Sequence, residues 1–282
     1  MRSPLARIEY GDIATAKVSI IFIHGWLDNA ASFSRLMEKI LLTRDDLHLC
    51  AFDLPGHGYS MHKGEYYFYP FHDYLDDLNQ VLAEFKQNPC ILVGHSLGGL
   101  IASCYSAAFP EKVQGLIQIE GKGPLSEPPE MSVVRLRKGL ENRERMRKKT
   151  RKGYPSFTKA LAHRSKSSAL SESIVEPIVR RGLVEDNGYW YWRADPKLSC
   201  QSLFRMSHEH AQEIVDHIEC PYAIILGESG YEHLKSTSAI RLKKDVVVET
   251  VVGGHHCHIE SPDAVNNIIQ DLVRRVVPSH SL

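Results

Sequence analysis

The stretch ILVGHSLGGLIASCY, residues 91–105, places Ser96 between an apolar run and an amphipathic one, with Gly94 and Gly98 two residues to either side. A short β-branched run that breaks at small residues and resumes with helical spacing is a strand turning sharply into a helix. Gly94, Ser96 and Gly98 fit G-x-S-x-G, the turn that lifts a serine hydroxyl above a sheet. The glycines have a steric cause, since the strained serine brings residues two before and two after too close to neighbouring chain for a Cβ. The Leu97 amide, at the helix start, points toward the same space and suits a developing oxyanion.

Outward from this turn, the chain repeats the same alternation. The runs at 18–25, 47–56, 90–96, 113–121, 222–228 and 246–254 read as buried strands ending in Gly, Pro or polar turns. Between them, 32–42, 71–86, 97–109 and 263–277 carry helical periodicity. Alternation of this kind predicts an α/β fold, a mostly parallel sheet flanked by helices, with ligands beyond the carboxyl ends of the strands. Residues 123–199 break the rhythm and hold no convincing buried strand. They predict a helical cap (lid) inserted into a core formed by 1–122 and 200–282. Within it, RLRKGLENRERMRKKTRK (135–152) sets ten basic residues against two glutamates. A solvated helix face is the plain reading, and an anion-binding or membrane-surface patch the sharper one.

A serine hydroxyl needs a base. The last strand ends in GGHHCHIESP, residues 253–262, where His255 follows the glycine pair and His256 and His258 are its rivals. A histidine-rich tract also suits a metal, but no matching His, Asp or Cys cluster is visible elsewhere, so none is expected. His258 reads as packing. A second oxyanion donor is available in IIFIHGWLDN (20–29), where the Trp26 amide faces the serine if the two strands are neighbours. Asp28 and Asp53, each after a strand, read as organisers of the loops, His57 as structural, and Cys257 as a buried thiol. The aromatic stripes YYFYPF (66–71) and GYWYW (188–192) read as packing, with part of the second lining an apolar acyl pocket.

Taken together, HGWLDN, DLPGHGYS (53–60), GHSLGG and GHHCHIESP resemble the α/β-hydrolase superfamily, and more narrowly its serine hydrolase-like proteins. The resemblance implies an eight-stranded sheet with the cap between its sixth and seventh strands. It also implies Ser96 as nucleophile, His255 as base, and the Trp26 and Leu97 amides as oxyanion hole. The chain departs from the family at the acid. Many relatives carry Asp after the seventh strand, where this chain has Gly230 in ILGESGYEHL (225–234). Other members use a carboxylate after the sixth strand, and Glu120 stands there. Glu120 is favoured, with Glu228 and Glu232 as alternatives.

The expected activity is cofactor-independent hydrolysis of a small or medium apolar carboxylic ester through an acyl-enzyme. A thioester, lactone or carbon–carbon bond is the enzymatic alternative, and a non-catalytic ligand-binding or scaffold role the other class. Thirty-four basic and 34 acidic residues leave no global field for nucleic acid. Six cysteines without paired spacing, no signal-like N-terminus and no membrane-length apolar run lead to an expected cytoplasmic location.

Overall fold

The computed structural model describes residues 3–85, 89–235 and 240–277. Its main sheet has seven strands in the order β1-β3-β2-β4-β5-β8-β9. These are β1 (Arg7–Tyr10), β2 (Val18–Ile23), β3 (Leu47–Phe52), β4 (Cys90–His95), β5 (Val113–Ile119), β8 (Tyr222–Gly227) and β9 (Val247–Val251). All six strands read from the sequence are present and parallel; only β1 is antiparallel, pairing Arg7 with Phe52. Among the described residues the count is seven, not eight. Residues 11–17 are consumed in the return to β2, leaving room for one edge strand ahead of it.

The helices are α1 (Ser34–Leu41), α2 (Asp73–Leu82), α3 (Leu97–Ala108), α4 (Ser132–Arg147), α5 (Phe157–Ser168), α6 (Glu172–Gly182), α7 (His208–Asp216), α8 (Glu232–Lys235), α9 (Cys257–Glu260) and α10 (Pro262–Val276). The 71–86 periodicity condenses into α2, and its last residue, Lys86, lies outside the described residues. Period-two alternation assigns the two faces of the sheet. Ile20 and Phe22 of β2 join Phe33, Leu36 and Val273 on the side of α1 and α10. Ile21 and Ile23 join Tyr74, Leu78 and Ile101 on the side of α2 and α3. With both faces covered, the central strands are apolar throughout, which is why they read as continuous runs.

Between β5 and α7 the chain forms α4, α5, α6 and a two-stranded hairpin, β6 (Leu183–Asp186) and β7 (Tyr189–Trp192). Asn187 and Gly188 both have positive φ, 50° and 78°. That is the geometry of a two-residue hairpin turn. This segment has its own small core of Ala160, Leu161, Val175, Val179 and Leu183, with Trp190 and Trp192 against it. It reaches the loops after β2 and β3 through polar contacts. Arg164 meets Asp28, Arg181 meets Asp53 at 3.0 Å, and the Asn29 side-chain amide donates to the Ile178 carbonyl at 2.9 Å. No helix among the described residues is long and apolar enough to cross a membrane.

Candidate active site

From β2 the chain moves outward to β3, then returns to β4 on the other side of β2. The strand order therefore reverses between β2 and β4, and the crevice beyond their carboxyl ends is where such sheets bind ligands. Trp26 follows one of these strands and Ser96 the other.

Ser96 holds φ 49° and ψ −115°, a strained conformation for a residue with a side chain. Its neighbours explain why the strain persists. A Cβ on Gly94 would overlap the Gly98 backbone, and a Cβ on Gly98 would overlap the Ile23 carbonyl. The Ser96 amide donates to the Ile119 carbonyl at 2.8 Å, tying the turn to β5. Among the described residues, neither the Trp26 nor the Leu97 amide is bonded to another backbone group. Both residues line, with Ser96, a cavity of about 490 Å³. Its apolar walls include Tyr74, Leu100 and Met206.

The structure brings Glu120 and His255 together. His255 Nδ1–H donates to Glu120 Oε2 at 3.2 Å, while the Gly227 and Tyr231 amides donate to Oε1 at 2.7 Å and Oε2 at 3.1 Å. Burial works to raise the Glu120 carboxyl, but His255 and the two amides outweigh it and hold it below the usual range. The carboxylate fills the space over Gly230, where any Cβ would overlap it. A glycine at this position thus makes room for the Glu120 carboxylate arriving from β5. Glu228 and Glu232 are exposed and are not brought to His255; Lys235 Nζ donates to the Glu228 carbonyl at 2.6 Å and to Glu232 Oε1 at 2.9 Å.

Ser96 and His255 are neighbours through His95. His95 Nε2–H donates to the His255 carbonyl at 2.7 Å, and the two rings lie 4.8 Å apart. Ser96 Oγ makes no hydrogen bond among the described residues. The Tyr231 ring packs 4.2 Å from the His255 ring.

The remaining histidines separate by role. His256 Nε2–H donates to Asp28 Oδ2 at 3.1 Å. His258 is fully buried, with neither ring nitrogen bonded, and packs 4.3 Å from His95 and 5.1 Å from Phe33. Burial pushes its basicity well down, so the ring is neutral. His57 accepts from the Leu27 amide at 3.2 Å, fixing the loop beside Trp26, and burial lowers its pKa to about 3. Asp53 accepts from the Ala30 and Tyr59 amides, both at 2.8 Å. Cys257 is buried and its thiol is pushed up to about 12, which leaves it unreactive. All six cysteines are free.

Two sequence readings are corrected here. The histidine tract does meet a matching cluster, because Asp28, His95 and His256 gather with donor atoms within 4.8 Å of one another, a set able to hold a cation. Only folding joins Asp28 and His95 to the tract, so spacing could not show it. The Asp28 charge is already matched by Arg164, and its other oxygen is taken by His256, which disfavours adding a divalent charge. The second correction concerns the aromatic stripes. Tyr69 and Phe71, from the first stripe, line the Ser96 cavity, whereas the second stripe forms the β6–β7 hairpin and sends Trp192 to a different cavity.

Residues 18–162 match the α/β hydrolase fold family. The chain is 31% identical over 263 residues to a probable serine hydrolase of Drosophila melanogaster, covering 87% of this chain and 78% of that one. The chain is an α/β hydrolase of the serine hydrolase-like family. A serine hydrolase-like protein of Danio rerio is 24% identical over 275 residues, covering 93% and 83% of the two chains. Among solved structures, a hypothetical protein of Pseudomonas aeruginosa PAO1 superposes with a TM-score of 0.83 at 30% identity, covering 96% and 94%.

Proposed function

We propose that this hydrolase cleaves carboxylic esters through Ser96, with His255 as base and Glu120 as the acid that orients it. The Glu120–His255 hydrogen bond over Gly230 carries the reading, because it fixes which ring nitrogen holds the proton. With Nδ1–H committed to Glu120, Nε2 is left to take the Ser96 proton as Oγ attacks the ester carbonyl. The Trp26 and Leu97 amides donate to the developing oxyanion. Collapse expels the alcohol with the proton from His255, and water, activated by the same ring, releases the acid from the acyl-enzyme. The apolar walls of the Ser96 cavity support an apolar acyl group. Residues 123–199 act as the cap over this site, and the free thiols suit the cytoplasm.

A fluorophosphonate probe tests the nucleophile directly, since an unactivated serine reacts poorly. The wild-type chain should be labelled at Ser96 and should hydrolyse p-nitrophenyl butyrate; Ser96→Ala should do neither. Labelling that persists in Ser96→Ala, or a wild-type chain that resists the probe, would overturn the assignment.

A further inference from the structure

The basic run 135–152, which spans most of α4 and the residues after it, does not all face solvent. Arg143 lies 4.3 Å from the Phe68 ring, but Lys149, Arg151 and Lys152 continue into the wall of a second cavity of about 410 Å³. Arg164 joins them from α5. We propose that this cavity binds a phosphate group carried on the alcohol or thiol part of the substrate. The inference rests on the ester-hydrolase reading and specifies its substrate class: phosphate-bearing esters or thioesters.

Charge supports an anion. Four cationic side chains line the cavity; Arg164 is already charge-paired with Asp28, which leaves Lys149, Arg151 and Lys152 against one lining carboxylate, Asp195. That carboxylate is already occupied, accepting from the Tyr69 hydroxyl at 2.7 Å and the Lys197 amide at 2.9 Å, with Lys197 Nζ at 3.5 Å. Two of the cations are held in place. Arg151 donates to the Trp192 carbonyl and lies 4.8 Å from the Tyr191 ring, and Arg164 is braced by Asp28. Lys149 and Lys152 are exposed ammonium groups at the rim. Fixed guanidinium groups beside flexible ammonium groups suit the tetrahedral, multiply charged oxygens of phosphate. The chain as a whole has zero formal net charge, so this positive field is local to the cavity.

Position links the cavity to the serine. Ser199 lines both cavities; Trp26 lines the one at Ser96, and the next residue, Leu27, lines the basic one. The Trp26 indole N–H donates to the Leu198 carbonyl at 2.9 Å where the two walls meet. An acyl group among Tyr74, Leu100 and Met206 therefore leaves the departing half of the substrate free to cross beside Trp26. Trp192, Ala194 and Pro196 offer that half an apolar wall on its way to the cations.

Calorimetric titration of pyrophosphate into Ser96→Ala reads the site without turnover. Binding is expected, and it should weaken about tenfold when Lys149→Ala and Lys152→Ala are added. In the Ser96 background, the butyryl thioesters of coenzyme A and of N-acetylcysteamine share a reacting end but differ in phosphate. The double lysine variant should raise KM about tenfold for the first and leave the second unchanged. Absent pyrophosphate binding, or equal losses on both thioesters, would overturn the proposal. If neither thioester turns over, fluorophosphonate labelling and p-nitrophenyl butyrate decide the serine reading, and calorimetry alone decides the phosphate site. Vesicles of phosphatidylglycerol form the last arm. Lysine-dependent vesicle binding without pyrophosphate binding would assign the cations to a lipid headgroup and overturn a soluble phosphate ester.

Discussion

The turn at Ser96 and the segment between β5 and α7 are held by opposite means. At the turn, backbone packs on backbone so closely that Gly94 and Gly98 admit no side chain, and the surrounding strands are buried. The inserted segment keeps a small core of its own and meets the sheet loops through charged and polar tethers, chiefly Arg164 to Asp28 and Arg181 to Asp53. Close packing gives a rigid platform with one geometry. Tethers of a few charge-assisted bonds fix position but can be released one at a time. The proposed chemistry, which needs sub-ångström placement, sits on the first region, and the proposed substrate selection sits on the second.

The sharpest test of the platform is Glu120→Gln. The amide retains the shape, yet it no longer provides a carboxylate to orient and charge-stabilise His255. Turnover of p-nitrophenyl butyrate should fall on the order of a thousandfold, with Glu228→Gln and Glu232→Gln staying within about twofold of wild type. A Glu120→Gln rate near wild type would move the acid elsewhere and detach Gly230 from the argument.

Acid should next separate the two regions. His24, His57, His95 and His258 all lie in or under the sheet loops, and burial lowers each below its ordinary value. A histidine with a depressed folded-state pKa contributes stability above its unfolded value, about 6.5, and loses it as pH falls. For His57, lowered to about 3, the loss by pH 5 is about 2 kcal/mol. The depressed Glu120 and Asp28 carboxyls work in the same direction only at lower pH. The melting temperature should therefore drop between pH 7 and pH 5, with Asp77, which burial raises to about 6, offsetting part of the loss. A flat profile over that range would show that these rings reach solvent.

Breaking a tether should cost less. Asp53 is fully buried, and Arg181 is its charged partner from α6. Arg181→Met leaves that carboxylate with amide donors alone, a loss of about 2 to 3 kcal/mol after allowing for the partly exposed arginine. Urea unfolding should show the loss in the midpoint. Limited proteolysis should find new cuts in the inserted segment while the sheet core stays resistant. Cuts appearing first in the sheet would mean that the tether supports the platform as well.

How much of this was legible depended on which force holds each part. The parallel strands were readable because burial on both faces writes itself as an apolar run. The edge strand RIEY is only four residues long and half-buried, so it left no such mark. Ser96 and His255 were readable because each follows a strand in a motif that local sterics require. The choice of Glu120 over Glu228 and Glu232 was not, since it turns on a distance across the sheet; Gly230 was the signal available, an absence of side chain where a carboxylate would arrive. The gathering of Asp28, His95 and His256 comes from three distant segments and was invisible for the same reason. The hairpin carried a usable signal, Asn187-Gly188 between alternating residues, although the aromatic stretch around it reads equally as packing.

The hairpin glycine supplies the mildest test, as the converse of Gly98. At Gly98 the backbone would accept a side chain but the Ile23 carbonyl leaves no room. At Gly188 no atom lies within 4 Å of a built Cβ, yet φ is 78°. Gly188→Ala therefore meets only the backbone penalty of a left-handed residue, about 1 kcal/mol, and should lower the melting temperature by about 2 °C. Activity toward p-nitrophenyl butyrate should be unchanged, because the turn lies at the far end of the hairpin from Trp192 and touches neither cavity. A large loss of stability would mean that the hairpin, and not the tethers, sets where the inserted segment sits.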